Sequence, residues 1–399
     1  MGRAFLATLS RRSITQNLSI PRSQRLGTHL PARSVSQLSH SPTSFQPSHH
    51  QRTIITSRIM STHHNIVALE GCITPIPDFT PAMPPGHTFT LTIHAHTPHS
   101  NTALIQSRLA SADIALVTVC PLTPTILSAT ATPNLRFISV MASGHDIVHK
   151  PSCHSRGIIV SNSPGCNVDA VAEHSVGLYF SLRRRIPFTQ RLLRSGAWTA
   201  NGYVMDATLN SPDGMRPLPM RDEVVGILGN GAVGRRIGEL CAALGMKSVL
   251  VTGRKGAPAS SAPEEGRTAF GEVLRTASVL FICVPRTPET MGLLSTGEFA
   301  AMQPHAVIVN VSRGGIVDEA ALVEALKGGR ISGAATDVFQ TEPAGPENSV
   351  LLGKDTEELN LVATPHVAWA SRETTQNYQD TVVANVRGFL LQKPQNVVS

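Results

Sequence analysis

No aspartate or glutamate occurs before Glu70, and no lysine occurs in residues 1–59. Eight arginines carry the fixed charge of that segment, among many Ser, Thr, Gln and His. The formal net charge of +7 falls to about −1 without them, because 26 basic residues then face 27 acidic ones. The positive excess therefore belongs to a tail and gives no reason to expect nucleic acid binding by the rest. Long apolar runs are lacking too. No segment approaches the ~20 consecutive apolar residues of a membrane-spanning helix, so no membrane partner is expected. The six cysteines (72, 120, 153, 166, 241 and 283) form no CxxC pair. That argues against a disulfide scaffold and for free thiols. No Walker loop, Ser–His–Asp motif or internal repeat stands out.

An Arg-rich, Ser-rich segment without acids has the composition of a mitochondrial transit peptide. "RAFLATLSRRSI" combines Phe5, Leu6 and Leu9 with Arg11 and Arg12 in what reads as a short helix. We expect residues 1–59 to be an N-terminal extension directing mitochondrial import. Met60 is a second possible start, which would give a cytosolic form.

With 399 residues, 41% of them hydrophobic, the chain has enough material for two cored domains. From residue 64, short β-branched runs alternate with helical stretches. "NIVALE", "TFTLTI", "IALVTV" and "FISVM" read as strands. "SNTALIQSRLASAD" reads as a helix capped by Ser100. "NVDAVAEHSVGLYFSLRRRI" is a longer helix with an apolar stripe of Val168, Val171, Ala172, Val176 and Tyr179. Residues 201–223 read as a loop without an assignable role. "VVGIL", "SVLVTG", "VLFICV", "AVIVNV", "ISGAATDVF" and "LNLVATP" are further strands, and a last helix covers about 372–391. Strands alternating with helices predict an α/β chain with parallel sheets.

Gly229, Gly231 and Gly234 form a G-x-G-x-x-G between a predicted strand and a helix. In that setting the spacing serves a dinucleotide. One glycine makes the turn, one lets the backbone approach a pyrophosphate, and one lets helix and strand pack closely. The next strand ends at Gly253, Arg254 and Lys255, where NAD-binding sheets usually carry an acid for the ribose 2′-hydroxyl. A guanidinium there would pair with a 2′-phosphate, so NADP(H) is expected over NAD(H).

Three signals follow, each after a strand: Arg313 in "VSRGGIVDE", Asp337 and Glu342 in "DVFQTEP", and His366 in "TPHVAWAS". In a parallel sheet those strand ends line one crevice, so Arg, Glu and His should converge. Arg313 can hold a carboxylate and a neighbouring oxygen through its guanidinium fork. His366 can donate a proton to that oxygen. Glu342 can hold the other imidazole nitrogen.

With "GILGNGAVGRRI", "VPRTPETMGLLS", "VNVSRGGIVDEAALVEAL", "DVFQTEP" and "TPHVAW", residues 64–395 resemble the D-isomer-specific 2-hydroxyacid dehydrogenases. "ASGHDIV" and the ending "TPHVAWASRE" look most like the glycerate dehydrogenases, or hydroxypyruvate (glyoxylate) reductases, of that family. The resemblance implies a Rossmann-like doubly wound dinucleotide-binding domain (166–367) and a flavodoxin-like substrate domain (60–165, completed by 368–399). The active site lies in the cleft between them, usually in a homodimer. It assigns Arg313, Glu342 and His366 to catalysis, and the backbone of Ala142, Ser143 and Gly144 to the substrate carboxylate. Ala232 and Val233 meet the pyrophosphate, and Val284, Val311 and Asp337 line the nicotinamide end. The family often has Asp where His149 stands. The activity expected is reduction of glyoxylate or hydroxypyruvate to glycolate or D-glycerate. Alternatives are another D-2-hydroxyacid specificity, D-lactate-type or bulkier, and a non-enzymatic corepressor or dinucleotide sensor. Formate dehydrogenases have Gln in place of the glutamate, unlike Glu342.

His87, His94, His96 and His99 cluster along a predicted strand that puts His94 and His96 on one side. No nearby carboxylate or cysteine completes a ligand set, so no metal is expected. Arg183, Arg184 and Arg185 are expected to sit at a helix C-terminus, where cations are favourable.

Overall fold

Two parallel sheets are built from the short β-branched runs. The computed structural model describes residues 62–202, 209–256 and 266–398, which belong to the unit Ile59–Ser399. The first sheet contains β1 (Thr62–Ala68), β2 (His87–Ile93), β3 (Ile114–Val117), β4 (Phe137–Val140) and β5 (Ile159–Ser161). Its order is β2-β1-β3-β4-β5, with every pairing parallel. That is the flavodoxin-like order. The second contains β6 (Val224–Leu228), β7 (Ser248–Val251), β8 (Val279–Ile282), β9 (Val307–Asn310), β10 (Gly333–Thr336) and β11 (Leu361–Ala363). Its order is β11-β10-β9-β8-β6-β7, again all parallel. Beyond β7, Thr268 makes one parallel bridge to Thr252. Thr268 thus stands where the third strand of a Rossmann sheet would lie.

The central strands are buried on both faces because helices cover both sides of each sheet. All residues of β3, β8 and β9 are buried, as parallel sheets require. The helix Val168–Arg183 packs on the second sheet through Val171, Ala172, Leu178, Tyr179 and Leu182. Val168 and Val176, expected in that stripe, are only half-buried. The last helix, Arg372–Leu390, returns to the first sheet. Its Val382, Val386, Phe389 and Leu390 join Ile66, Phe79 and Phe137 in one core, and Phe137 and Phe389 stack at 4.6 Å. Val397 then adds an antiparallel bridge to Ser161.

Three local expectations are corrected, and one is borne out with an addition. Asn101, not Ser100, caps the helix Thr102–Leu109, because its side chain reaches the amide of Leu104. Arg183 does lie in the last turn of the helix Val168–Arg183, as expected. It is buried with Glu223: its Nε lies 2.6 Å from Oε1 and its Nη2 donates to Oε2 at 2.9 Å. The charge is compensated further, since the Arg183 guanidinium also donates to the carbonyls of His305 and Ser278. β2 ends at Ile93, so His94 and His96 lie past the strand and its alternation does not apply to them. The 201–223 stretch is not all loop: it starts at the end of a short helix, Ala197–Asn201, and carries a 3-10 turn at Met220–Asp222. The N-terminal extension falls outside the described residues. Among the described residues no helix is long and apolar enough to cross a membrane.

Candidate active site

The glycine turn follows β6 at the point where the order of the second sheet reverses, between β6 and β8. Gly229 has φ +103°, and a Cβ there would lie 2.7 Å from the Cys283 carbonyl oxygen. A Cβ on Gly234 would come within 2.3 Å of the Gly229 carbonyl, so helix and strand touch. A Cβ on Gly231 would meet nothing within 4 Å. The turn is closed beneath and open at Gly231, where the helix Ala232–Ala243 begins with Ala232 and Val233. That open helix N-terminus fits a pyrophosphate. Val284 flanks the turn, its Cγ1 3.1 Å from the Gly229 Cβ position, and Val311 is buried at the end of β9. After β7, Arg254 is exposed. Lys255 is exposed too, and its ammonium pairs with Glu298 at 2.8 Å and donates to the Leu293 carbonyl at 3.0 Å.

Arg313 is delivered by a tight turn after β9. The Asn310 side chain accepts from the Ser312 amide and donates to the Arg313 carbonyl, both at 3.1 Å. Gly314 lies directly on the β10 loop, where a Cβ would sit 1.8 Å from the Phe339 carbonyl oxygen. Only a residue without a side chain lets these loops meet. The Arg313 guanidinium points at the loop after β4, in the first sheet. Its Nε donates to Asp146 Oδ2 at 3.0 Å and its Nη1 to the Ser312 carbonyl at 2.8 Å. Its Nη2 lies over Gly144, 1.6 Å from where a Cβ would stand. Arg313 and the Ala142–Ser143–Gly144 turn are therefore in direct contact. Ser143 is fixed in turn, because its hydroxyl shares its one proton between Ser163 O and Asn167 Oδ1, and its carbonyl accepts from Asn162. Tyr378 bonds Ser143 as well, and burial pushes the phenol up to about 12. Burial opposes ionisation of Asp146, but the hydrogen bond and charge of Arg313, with Arg286 and His145, hold the carboxyl below its usual value.

Glu342 and His366 meet beside this contact. Glu342 Oε1 accepts from the Phe339 amide at 2.9 Å, and Oε2 lies 2.7 Å from His366 Nδ1. An ionised carboxylate only accepts, so Nδ1 carries the proton and Nε2 is left for a ligand. Burial raises the Glu342 pKa. His366, the Phe339 amide and the Arg313 charge outweigh it, and the carboxyl is held below its ordinary value. The side chains of Arg313, Glu342 and His366 are 30%, 34% and 41% exposed, so a small molecule can reach them.

His366 has a left-handed backbone, φ +53°, which a non-glycine residue adopts only when its surroundings impose it. Asp337, expected at the nicotinamide end, is buried beneath this loop. Its Oδ1 accepts from the Thr364 hydroxyl at 2.6 Å and the Val367 amide at 2.9 Å, and its Oδ2 accepts from the Ala368 amide at 2.8 Å. Trp369 Nε1 donates to the His366 carbonyl at 3.0 Å. Neither Asp146 nor Trp369 is marked as functional by sequence pattern alone. Asp146 stands two residues past Gly144 in the already notable "ASGHDIV", and an acid facing the predicted cleft was the available signal.

Known proteins share this arrangement of sheets and motifs. The family description "D-isomer specific 2-hydroxyacid dehydrogenase, NAD binding domain" matches residues 176–368. A glycerate dehydrogenase of Methylorubrum extorquens is 36% identical over 294 residues, covering 74% of this chain and 88% of that protein. A hydroxypyruvate reductase of Blautia hydrogenotrophica is 30% identical over 295 residues, covering 73% and 87%. An NADPH-dependent glyoxylate/hydroxypyruvate reductase of Sinorhizobium meliloti, solved with NADP and malonate, is 28% identical. It superposes with a TM-score of 0.65 over 84% of this chain and 97% of its own.

Proposed function

This chain belongs to the D-isomer-specific 2-hydroxyacid dehydrogenase family, an NAD(P)-dependent oxidoreductase group, and from that premise we propose that it reduces glyoxylate or hydroxypyruvate with NADPH. The observation that carries this reading is the His366–Glu342 pair at 2.7 Å, beside an Arg313 that rests on the Gly144 turn. Arg313 holds the substrate carboxylate and the C2 oxygen, and the amides of Ser143 and Gly144 complete the carboxylate site. When bound, the reduced nicotinamide supplies the hydride that C2 receives. His366, protonated, gives its Nε2 proton to the C2 oxygen as that oxygen gains charge. Glu342 keeps Nδ1–H throughout, which fixes the tautomer and stabilises the charged ring. The half-exposed ring then recovers its proton from solvent.

The glycine turn accepts a pyrophosphate, and Arg254 favours a cofactor with a 2′-phosphate. The named substrates of the relatives support glyoxylate and hydroxypyruvate. Initial rates with glyoxylate, hydroxypyruvate, pyruvate and phenylpyruvate, each with NADPH and NADH, test the proposal. The two short acids with NADPH should give the highest kcat/KM. Stoichiometric NADPH binding with no turnover on the panel would favour a dinucleotide sensor instead.

Two further parts of this reading concern assembly and address. Ile186, Leu193 and Trp198 are exposed on the helices Ile186–Arg194 and Ala197–Asn201, and burial against a second copy would make a homodimer. Light scattering of the purified chain tests this. Residues 1–59 would direct the enzyme to mitochondria, and a fluorescent fusion of residues 1–60 would report a mitochondrial or a diffuse cytosolic signal.

A further inference from the structure

We infer that Asp146 is a positioning residue for Arg313, and that its bond across the cleft sets which guanidinium edge meets the substrate. The inference rests on the proposed role of Arg313. The two residues are 167 positions apart, one after β4 of the first sheet and one after β9 of the second. Arg313 has five N–H donors. Asp146 takes the one on Nε at 3.0 Å, and the Ser312 carbonyl takes one on Nη1 at 2.8 Å. The remaining donors lie on the terminal edge, with Nη2 placed over Gly144. That edge is the one able to grip a carboxylate in two places beside the Ser143 and Gly144 amides.

A free arginine side chain has many rotamers and would sample several poses. Asp146 removes that freedom before substrate arrives, which is how pre-organisation lowers a barrier. Beside the bond to Arg313, the charge of Arg286 also favours the ionised form of Asp146, whereas burial and the charge of Lys150 lower the His145 pKa and favour its neutral ring. Asp146 thus sits in a cationic setting that keeps it ionised as a fixed acceptor.

The test compares Asp146→Ala, Asp146→Asn and Arg313→Ala in the full chain. Active-enzyme concentration is set by NADPH titration. In Asp146→Ala, kcat/KM for hydroxypyruvate should fall about ten- to hundred-fold, while the NADPH Kd changes by less than about two-fold. Asp146→Asn keeps an oxygen for Nε and should lose less. It also serves if the alanine variant fails to fold. An unchanged kcat/KM in both variants, or a loss matched by an equal loss of NADPH affinity, overturns the assignment. If Arg313→Ala itself keeps wild-type kcat/KM, the underlying reading of Arg313 fails instead.

Discussion

His366 Nδ1 lies 2.7 Å from Glu342 Oε2, and the same carboxylate accepts from the Phe339 amide through Oε1. Both oxygens are therefore committed, and the imidazole can rest in one tautomer only. Glu342→Gln keeps the shape but can turn an amide N–H toward Nδ1. We expect kcat to fall about 10²-fold or more, with cofactor affinity unchanged. Steady-state kinetics with a parallel NADPH titration checks this.

The same pair links stability to pH. Glu342 has a folded pKa below its ordinary value, and burial alone would have raised it. A carboxyl with a depressed folded pKa stabilises the fold above its unfolded pKa of about 4.3. That contribution is lost as pH falls through the lower, folded value. The Tm difference between wild type and Glu342→Gln should be largest near neutral pH and shrink below about pH 4. A difference that grows on acidification would contradict the sign.

Gly144 is a matter of room. A Cβ there would stand 1.6 Å from Arg313 Nη2, so Gly144→Ala must push the guanidinium off the turn. A displacement on the order of 1 Å costs about 10²-fold in rate. kcat/KM for hydroxypyruvate should fall by that order, with Tm little changed.

In the proposed reading, cofactor choice falls on Arg254. It is exposed at the end of β7, whereas Lys255 is held by Glu298 at 2.8 Å. Arg254→Ala should lower kcat/KM for NADPH about ten-fold or more, the scale of one charge-assisted hydrogen bond. The value for NADH should stay within about two-fold. Lys255→Ala should do much less.

Much of this was legible in the sequence because it is local. β-branched runs such as "VLFI" and "VIVN" read as buried parallel strands, and they are. Arg313, Glu342 and His366 each follow such a run, so the strand-end rule brings them together before any coordinates are known. Features made by distant partners were not legible. Arg183 ends its helix as the run of three arginines suggests, but only folding brings it to Glu223. Lys255 looks equivalent to Arg254 until Glu298 is placed beside it. Asp337 is placed at the nicotinamide end by the resemblance, and only the fold shows that its carboxylate also accepts from three donors of the His366 loop. Short-range pattern fixes where a residue lies along an element, and not which way a polar side chain finds its partner.

The most direct test is the rate of NADPH oxidation with hydroxypyruvate by wild type and His366→Ala, at equal NADPH-binding capacity. The account predicts turnover by wild type and a loss on the order of 10²–10⁴ in kcat in the variant. Equal turnover by the two proteins would contradict it.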